Sequence, residues 1–498
     1  MSKRLPIFYS ALLLTMVNLL LRFVGTSFQV YLSGRIGAAG IGLLQLVMSV
    51  GGLAMVAGMA GIRTATMYLT AEELGHWQQG NTRWVLSGCF LYSILCSGAI
   101  SGILYFFAPQ IAESWIGDPR TEDPLRLYAA ILPMVCLCGV MTGFFTAANR
   151  IGMLAVIEVA EQLFSMAVTM LALTFWAGTD AGRACQCIIL GSGAGACLTL
   201  LCLIVLRLRE ENPTGPKIPV AARLAQAAVP LALADVLKSG INTAENLMVP
   251  KRLKLNTSVS DPLAAFGLVN GMVFPVLMFP ACILYALAEL LIPELARCNA
   301  AASTNRISYL VRRSLKVAML YGLFFGGLMF LLAEPLCLRL YGSDSAARYL
   351  RLYSLLIPML YCDAITDSMT KGLGQQKVCV RYNILTSALD VTFLFVLLPR
   401  YGMDGYFFSF LLTHLINFIL SLRRLLRISR EAIPFHIPAY SFAACMAAVL
   451  GASRIRGTVG QTLAYTALLA SLLTLFRVIG QEDRHWLKGL VQLKERSV

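Results

Sequence analysis

Apolar runs of bilayer length recur from Leu5 almost to Phe476 and constrain this 498-residue chain more than any other feature. A helix needs about 20 largely apolar residues to cross a bilayer. Fourteen such spans are read, beginning near residues 6, 41, 84, 125, 152, 184, 223, 262, 313, 349, 378, 404, 434 and 459. The short polar loops between them leave no sizeable soluble domain. Only 13% of residues are charged, against about a quarter in soluble domains. The chain therefore reads as an all-α polytopic membrane protein. Its first apolar run follows Ser2-Lys3-Arg4 but is too long for a signal peptide and reads as a retained helix.

An even number of spans places both termini on one side. With that side cytoplasmic, the inner segments carry 25 of the 41 Lys and Arg, the outer segments 13, and the spans three, Arg22, Arg63 and Lys238. The positive-inside rule then sets both termini in the cytoplasm. The net charge of +15 reflects this topology and contact with anionic membrane lipids. Nucleic acid is not expected as a partner, because no soluble basic face exists. The 14 cysteines sit mainly in apolar spans and form no CxxC pair, so packed free thiols are expected.

The chain repeats itself. LRLYAAILPM at 125–134 returns as LRLYSLLIPM at 350–359, and under the same 225-residue shift FFAPQIAESWIGD (106–118) meets LLAEPLCLRLYGS (331–343). Nearer the N-terminus the shift is 216, which pairs Arg22 with Lys238 and Arg35 with Lys251. These matches predict two six-helix lobes, 1–210 and 222–427, joined by a cytoplasmic linker at 211–221. Two further helices fill 428–479, and a cytoplasmic amphipathic tail containing Trp486 fills 480–498. Six spans per lobe give both the same orientation, hence a pseudo-twofold axis along the membrane normal and alternating access between lobes.

Charges inside spans nominate the site, since a cation at the bilayer centre costs about 2.5–3.5 kcal/mol on insertion scales. On the first helix Asn18, Arg22, Gly25 and Gln29 follow the three/four step of one helical face, and on the seventh Asp235, Lys238, Asn242 and Glu245 do the same. Arg63 follows the small-residue run Gly58-Met59-Ala60-Gly61. Either these cations pair with internal acids, or they line a cavity that receives an anion, guanidinium forks suiting phosphate oxygens. Asp363 and Asp367, four apart on the tenth helix, and Glu158 and Glu161, three apart on the fifth, are candidates for Na+ or proton coupling, as is Asp235; salt bridges at helix ends are the alternative for Asp367 and Glu161. No P-loop, HExxH, GxSxG or zinc spacing is found, and the four histidines are isolated, so neither enzyme activity, nor a metal, nor a cofactor is expected.

The N-terminal stretch LLRFVGTSFQVYLSGRIGAAGIGLLQL (20–46) resembles the stage V sporulation protein B group of the multidrug/oligosaccharidyl-lipid/polysaccharide (MOP) exporter superfamily. So do AGIRTATMYLTAEE (60–73), AEQ (160–162), AVPLALADVLKSGINTAENLMVPKRL (228–253) and GLGQQK (372–377). The segment before AEQ, MLAVIEV, lacks the proline-containing start of close sporulation relatives. The resemblance implies two bundles in a V and a flippase in a bacterial plasma membrane. Its cargo would be an undecaprenyl-pyrophosphate-linked saccharide such as a lipid II-like precursor, and cell-wall synthesis enzymes are implied partners. Arg22 and Arg63 would contact the pyrophosphate by likeness to lipid II flippases, and Lys238 by the repeat. A cation-coupled drug antiporter and a non-transporting cell-wall scaffold are the alternatives.

Overall fold

The computed structural model describes residues 4–75, 82–148, 150–178, 180–209, 220–431 and 436–480. The expected tail helix beyond 480, most of the 211–221 linker and the side chain of Asn18 lie outside the described residues. Those described are helical, with no strand among them. This is the form lipid demands, because a helix satisfies its backbone N–H and C=O groups internally.

Sixteen α-helices follow in chain order: α1 Arg4–Met59, α2 Ile62–Gly75, α3 Thr82–Gln110, α4 Glu122–Ala147, α5 Ile151–Ala172, α6 Ala181–Leu208, α7 Val220–Leu253 and α8 Pro262–Gly267. Then come α9 Phe274–Met278, α10 Ala281–Ala300, α11 Thr304–Tyr341, α12 Ala347–Ser354, α13 Ile357–Gly372, α14 Gln376–Ser429, α15 His436–Ala452 and α16 Thr458–Leu475. Two predicted pairs of spans are continuous in this order. α1 carries the first two across a break at Gly37, and α14 carries the eleventh and twelfth across a break at Gly402. The tenth span is instead divided, into α12 and α13. Length and hydropathy alone qualify eight described helices as spans, or nine when Pro262–Met278 and Ala281–Ala300 count as one. α7 is not among them; its polar stripe dilutes its apolar character.

The described residues pack as two compact units. One comprises residues up to 272 with 387–406, the other 273–386 with 407 onward. In the first, α3 and α6 pack along α4, α5 along α6, and α1 and α2 against α7. Ile62, Leu69, Val85, Phe144, Phe145, Leu203 and Leu224 form its main apolar cluster. Small residues set the closest approaches, as expected where lipid offers apolar side chains no reason to leave it. A Cβ at Gly143 of α4 would lie 2.5 Å from the Arg63 carbonyl oxygen, so any larger residue would push α2 away. In the second unit α11, α15 and α16 enclose Leu323, Ala444, Ala448 and Leu469, and the Tyr465 hydroxyl donates to the Leu323 carbonyl at 2.9 Å.

The two copies of the repeated sequence share turns. Gly117 (φ 79°, ψ 26°) and Gly342 (φ 66°, ψ 12°) end equivalent helices 225 residues apart. Gly178 (φ 56°, ψ −130°) and Gly402 (φ 56°, ψ −131°), 224 apart, adopt one backbone conformation that a side chain at Cβ would strain.

Candidate functional site

The polar face of α1 is built around Arg22, whose side chain is exposed from the packed protein in the midst of apolar neighbours. One turn later, Gly25 brings α1 against α5: a Cβ there would stand 3.7 Å from Gln162 Nε2. Gln29, read as a substrate contact, donates to the Gly271 carbonyl at 3.3 Å and ties α1 to the π-helical turn after α8. Arg35 is exposed, two residues before the break at Gly37.

Arg63 enters α2 directly after a left-handed pair, Ala60 (φ 43°) and Gly61 (φ 72°). Its backbone is pressed against Gly143 while its side chain is exposed. Glu158 on α5 lies near enough to feel the Arg63 charge and that of Glu161. Glu161 also accepts a 2.6 Å hydrogen bond from the Thr199 hydroxyl of α6. Thus α5 supplies acids beside α2, and one of them is anchored to α6.

On α7, Asp235, Lys238 and Asn242 are exposed, whereas Glu245 is half-buried and departs from the stripe. It pairs with Ser387 and feels Asp390, both from α14. Nearby, the Tyr406 hydroxyl and the Asn270 amide meet at 3.0 Å. The helix is fastened to α1 by Thr243, which donates to the Ser49 carbonyl at 3.0 Å, and by Asn246, which donates to the Ser49 hydroxyl at 3.0 Å. At its start Arg223 binds Glu72 at 2.9 Å and Glu73 at 2.8 Å, clamping α7 to α2. The acidic pair was visible in sequence, but its partner 150 residues away was not. The Ser387 and Asp390 partners of Glu245 were missed for the same reason.

In the second unit Asp363 of α13 accepts from Asn417 Nδ2 at 3.1 and 3.4 Å. Asp367 is engaged with Lys371 at 2.5 Å, the alternative weighed for it above. Among the described residues no group of three His, Cys, Asp or Glu side chains is placed to hold a metal, and the 14 cysteines are free thiols.

Arg22, Arg63 and Lys238 therefore share a compact unit, on α1, α2 and α7, each with its charged end outside the protein core. A cation at membrane depth is costly unless an acid, water or an anion meets it, and Glu158 is one such acid beside Arg63.

Comparison with known proteins places the chain. The model of the polysaccharide biosynthesis protein family matches residues 37–310, and the MatE family model matches 230–396. Stage V sporulation protein B of Bacillus subtilis (strain 168) is 21% identical over 399 residues, covering 78% of this chain and 77% of that protein. The fold is similar to that of the lipid II flippase MurJ in an inward closed conformation (TM-score 0.69, 14% identity, 94% of this chain and 99% of that one). It is also similar to an inward-facing multidrug resistance MATE family transporter of the MOP superfamily (TM-score 0.66, 12% identity, 84% of this chain and 100% of that one). These solved relatives are carriers and not enzymes, and this chain is a multi-pass membrane protein of their fold. Its sequence makes it a member of the polysaccharide biosynthesis protein family, and its architecture is similar to that of MOP superfamily transporters.

Proposed function

We propose that this chain is a flippase that carries an isoprenoid-pyrophosphate-linked saccharide from the inner to the outer leaflet by alternating access. The observation that carries the reading is the trio Arg22, Arg63 and Lys238, exposed from the core within helices of one unit. A pyrophosphate offers oxygens to two guanidinium forks and a point charge to an ammonium. The similarity in fold to a lipid II flippase and the match to the polysaccharide biosynthesis protein family support the cargo class. Fourteen spans in two pseudo-twofold lobes with cytoplasmic termini, in a bacterial plasma membrane, belong to the same proposal.

Its energy would come from Na+ or protons, with Asp363 the leading coupling residue because Asn417 holds its carboxylate in place. Asp367 is a weaker candidate, since Lys371 already neutralises it.

Translocation of fluorescent lipid II and of a simpler undecaprenyl-pyrophosphate sugar in proteoliposomes tests this, with wild type beside Arg22→Ala. Losing one charge-assisted contact is expected to slow transport about tenfold or more. An unchanged rate in a variant that melts like wild type would refute pyrophosphate recognition by Arg22.

A further inference from the structure

The second predicted span is broken just before Arg63. α1 closes with the Ala60 N–H on the Val56 carbonyl at 3.1 Å, and α2 opens with the Ala65 N–H on the Gly61 carbonyl at 3.1 Å. Between those bonds Ala60 (φ 43°) and Gly61 (φ 72°) are both left-handed. Glycine takes this conformation freely, but alanine is strained in it because its Cβ crowds the following carbonyl oxygen. A strained residue persists only where its surroundings hold it.

Two neighbouring helices hold this one. From α3 the Tyr92 hydroxyl donates to the Ala60 carbonyl at 3.2 Å, a donor supplied from outside the broken helix. From α4 two glycines one turn apart admit the backbone on either side of the break. A Cβ at Gly139 would lie 3.3 Å from Met59 Cε, and one at Gly143 would lie 2.5 Å from the Arg63 carbonyl oxygen. The Tyr92 ring is itself seated against the main apolar cluster of this unit, so its hydroxyl is a fixed point.

The break changes where Arg63 points. In an unbroken helix Arg63 would follow Met59 by one turn on the same face, the face that packs on Gly139 of α4. After the left-handed pair its side chain is exposed instead.

We propose that Tyr92 is a positioning residue for Arg63: its hydroxyl holds the Ala60–Gly61 break, and the break aims the guanidinium at the pyrophosphate. The cargo half of this rests on the flippase reading above; the hold on the break does not.

Two measurements on the full-length protein separate the halves, using Tyr92→Phe, which removes the donor and keeps the ring. Hydrogen exchange in detergent reads the break with no cargo present. The variant should speed exchange of the amides from Ile62 to Ala65 about fivefold and leave those of α5 unchanged. In proteoliposomes it should raise the apparent KM for fluorescent lipid II about fivefold with little change in maximal rate. In an Arg63→Ala background it should add nothing. Unchanged exchange would overturn the hold of Tyr92 on the break. An unchanged KM, or an equal loss with and without Arg63, would overturn the positioning of Arg63. Wild type that carries no lipid-linked saccharide would refute the flippase reading and the cargo half with it, while exchange still decides the hold.

Discussion

LRLYAAILPM and LRLYSLLIPM differ at four of ten positions, yet one is part of a continuous helix and the other spans a break. Proline has no N–H to give the carbonyl four residues back. In the first copy Pro133 leaves the Ala129 carbonyl, and the Ser101 hydroxyl of α3 donates to it at 2.5 Å. α4 then runs unbroken from Glu122 to Ala147. In the second copy Pro358 leaves the Ser354 carbonyl, and the residue 225 beyond Ser101 is Gly326, which has no hydroxyl. There α12 ends at Ser354 and α13 begins at Ile357, while Leu356 N–H turns back to the Tyr353 carbonyl at 3.0 Å. Gly322 and Gly326 lie against the break, where a Cβ would meet Pro358 Cα at 2.7 Å and the Ser354 oxygen at 3.0 Å. Whether a proline bends a helix is thus decided on the neighbouring helix.

The widest functional gap between the copies is expected at their equivalent cations. Arg22→Ala should reduce transport about tenfold or more, and Lys238→Ala about fivefold, because an ammonium makes no bidentate contact. Parallel proteoliposome rates would decide it, and equal losses would mean that the copies read the cargo identically. Next come the twin glycine turns. Gly402→Ala is expected to cost about 1–3 kcal/mol for its backbone, and more than Gly178→Ala. The added Cβ would lie 3.2 Å from Val259 Cγ2 at 402 and meet nothing within 4 Å at 178. Melting curves of the two variants would rank them.

Ser101→Ala should cost about 1 kcal/mol by leaving the buried Ala129 carbonyl without its donor. Pro133→Ala restores a backbone N–H, so Ser101→Ala should be nearly neutral in that background. A double-mutant melting cycle measures the coupling, and strict additivity would reject this account of the straight helix.

The smallest difference lies in the loops. Asp118 accepts from Arg120 N–H at 3.0 Å, as the Ser343 hydroxyl accepts from Ser345 N–H at 3.2 Å. The first loop adds a 2.6 Å ion pair between Asp118 and Arg120, and that hydrogen-bonded guanidinium holds the Asp118 carboxyl below its usual range. Because the folded value is lowered, the stabilisation is present above the ordinary carboxylate range and lost as pH falls through the lowered value. An exposed pair contributes only about 0.2–1 kcal/mol. Hydrogen exchange at Arg120, corrected for intrinsic rate, should accelerate on acidification relative to Ser345.

The helices were legible in the sequence because lipid imposes one rule, and apolar length obeys it. Their breaks were less so: Gly37 and Gly402 read as ordinary loop glycines, and Pro133 and Pro358 look alike until Ser101 is set beside one of them. At the candidate site, Arg22, Arg63 and Lys238 stood out because charge is costly inside a membrane. The lodging of Glu245 with Ser387 and Asp390, and of Gln29 with Gly271, depends on contacts more than 100 residues apart. Spacing along one helix does not encode these.

The Ser101 hydroxyl also links the histories of two positions. While it persists, drift at 133 to or from proline is tolerated, since the Ala129 carbonyl keeps a donor either way. Where the hydroxyl is absent, as at Gly326, the same proline sits at a joint between two helices. A single small polar residue on the neighbouring helix thus separates a strut from an elbow, although the proline is common to both copies.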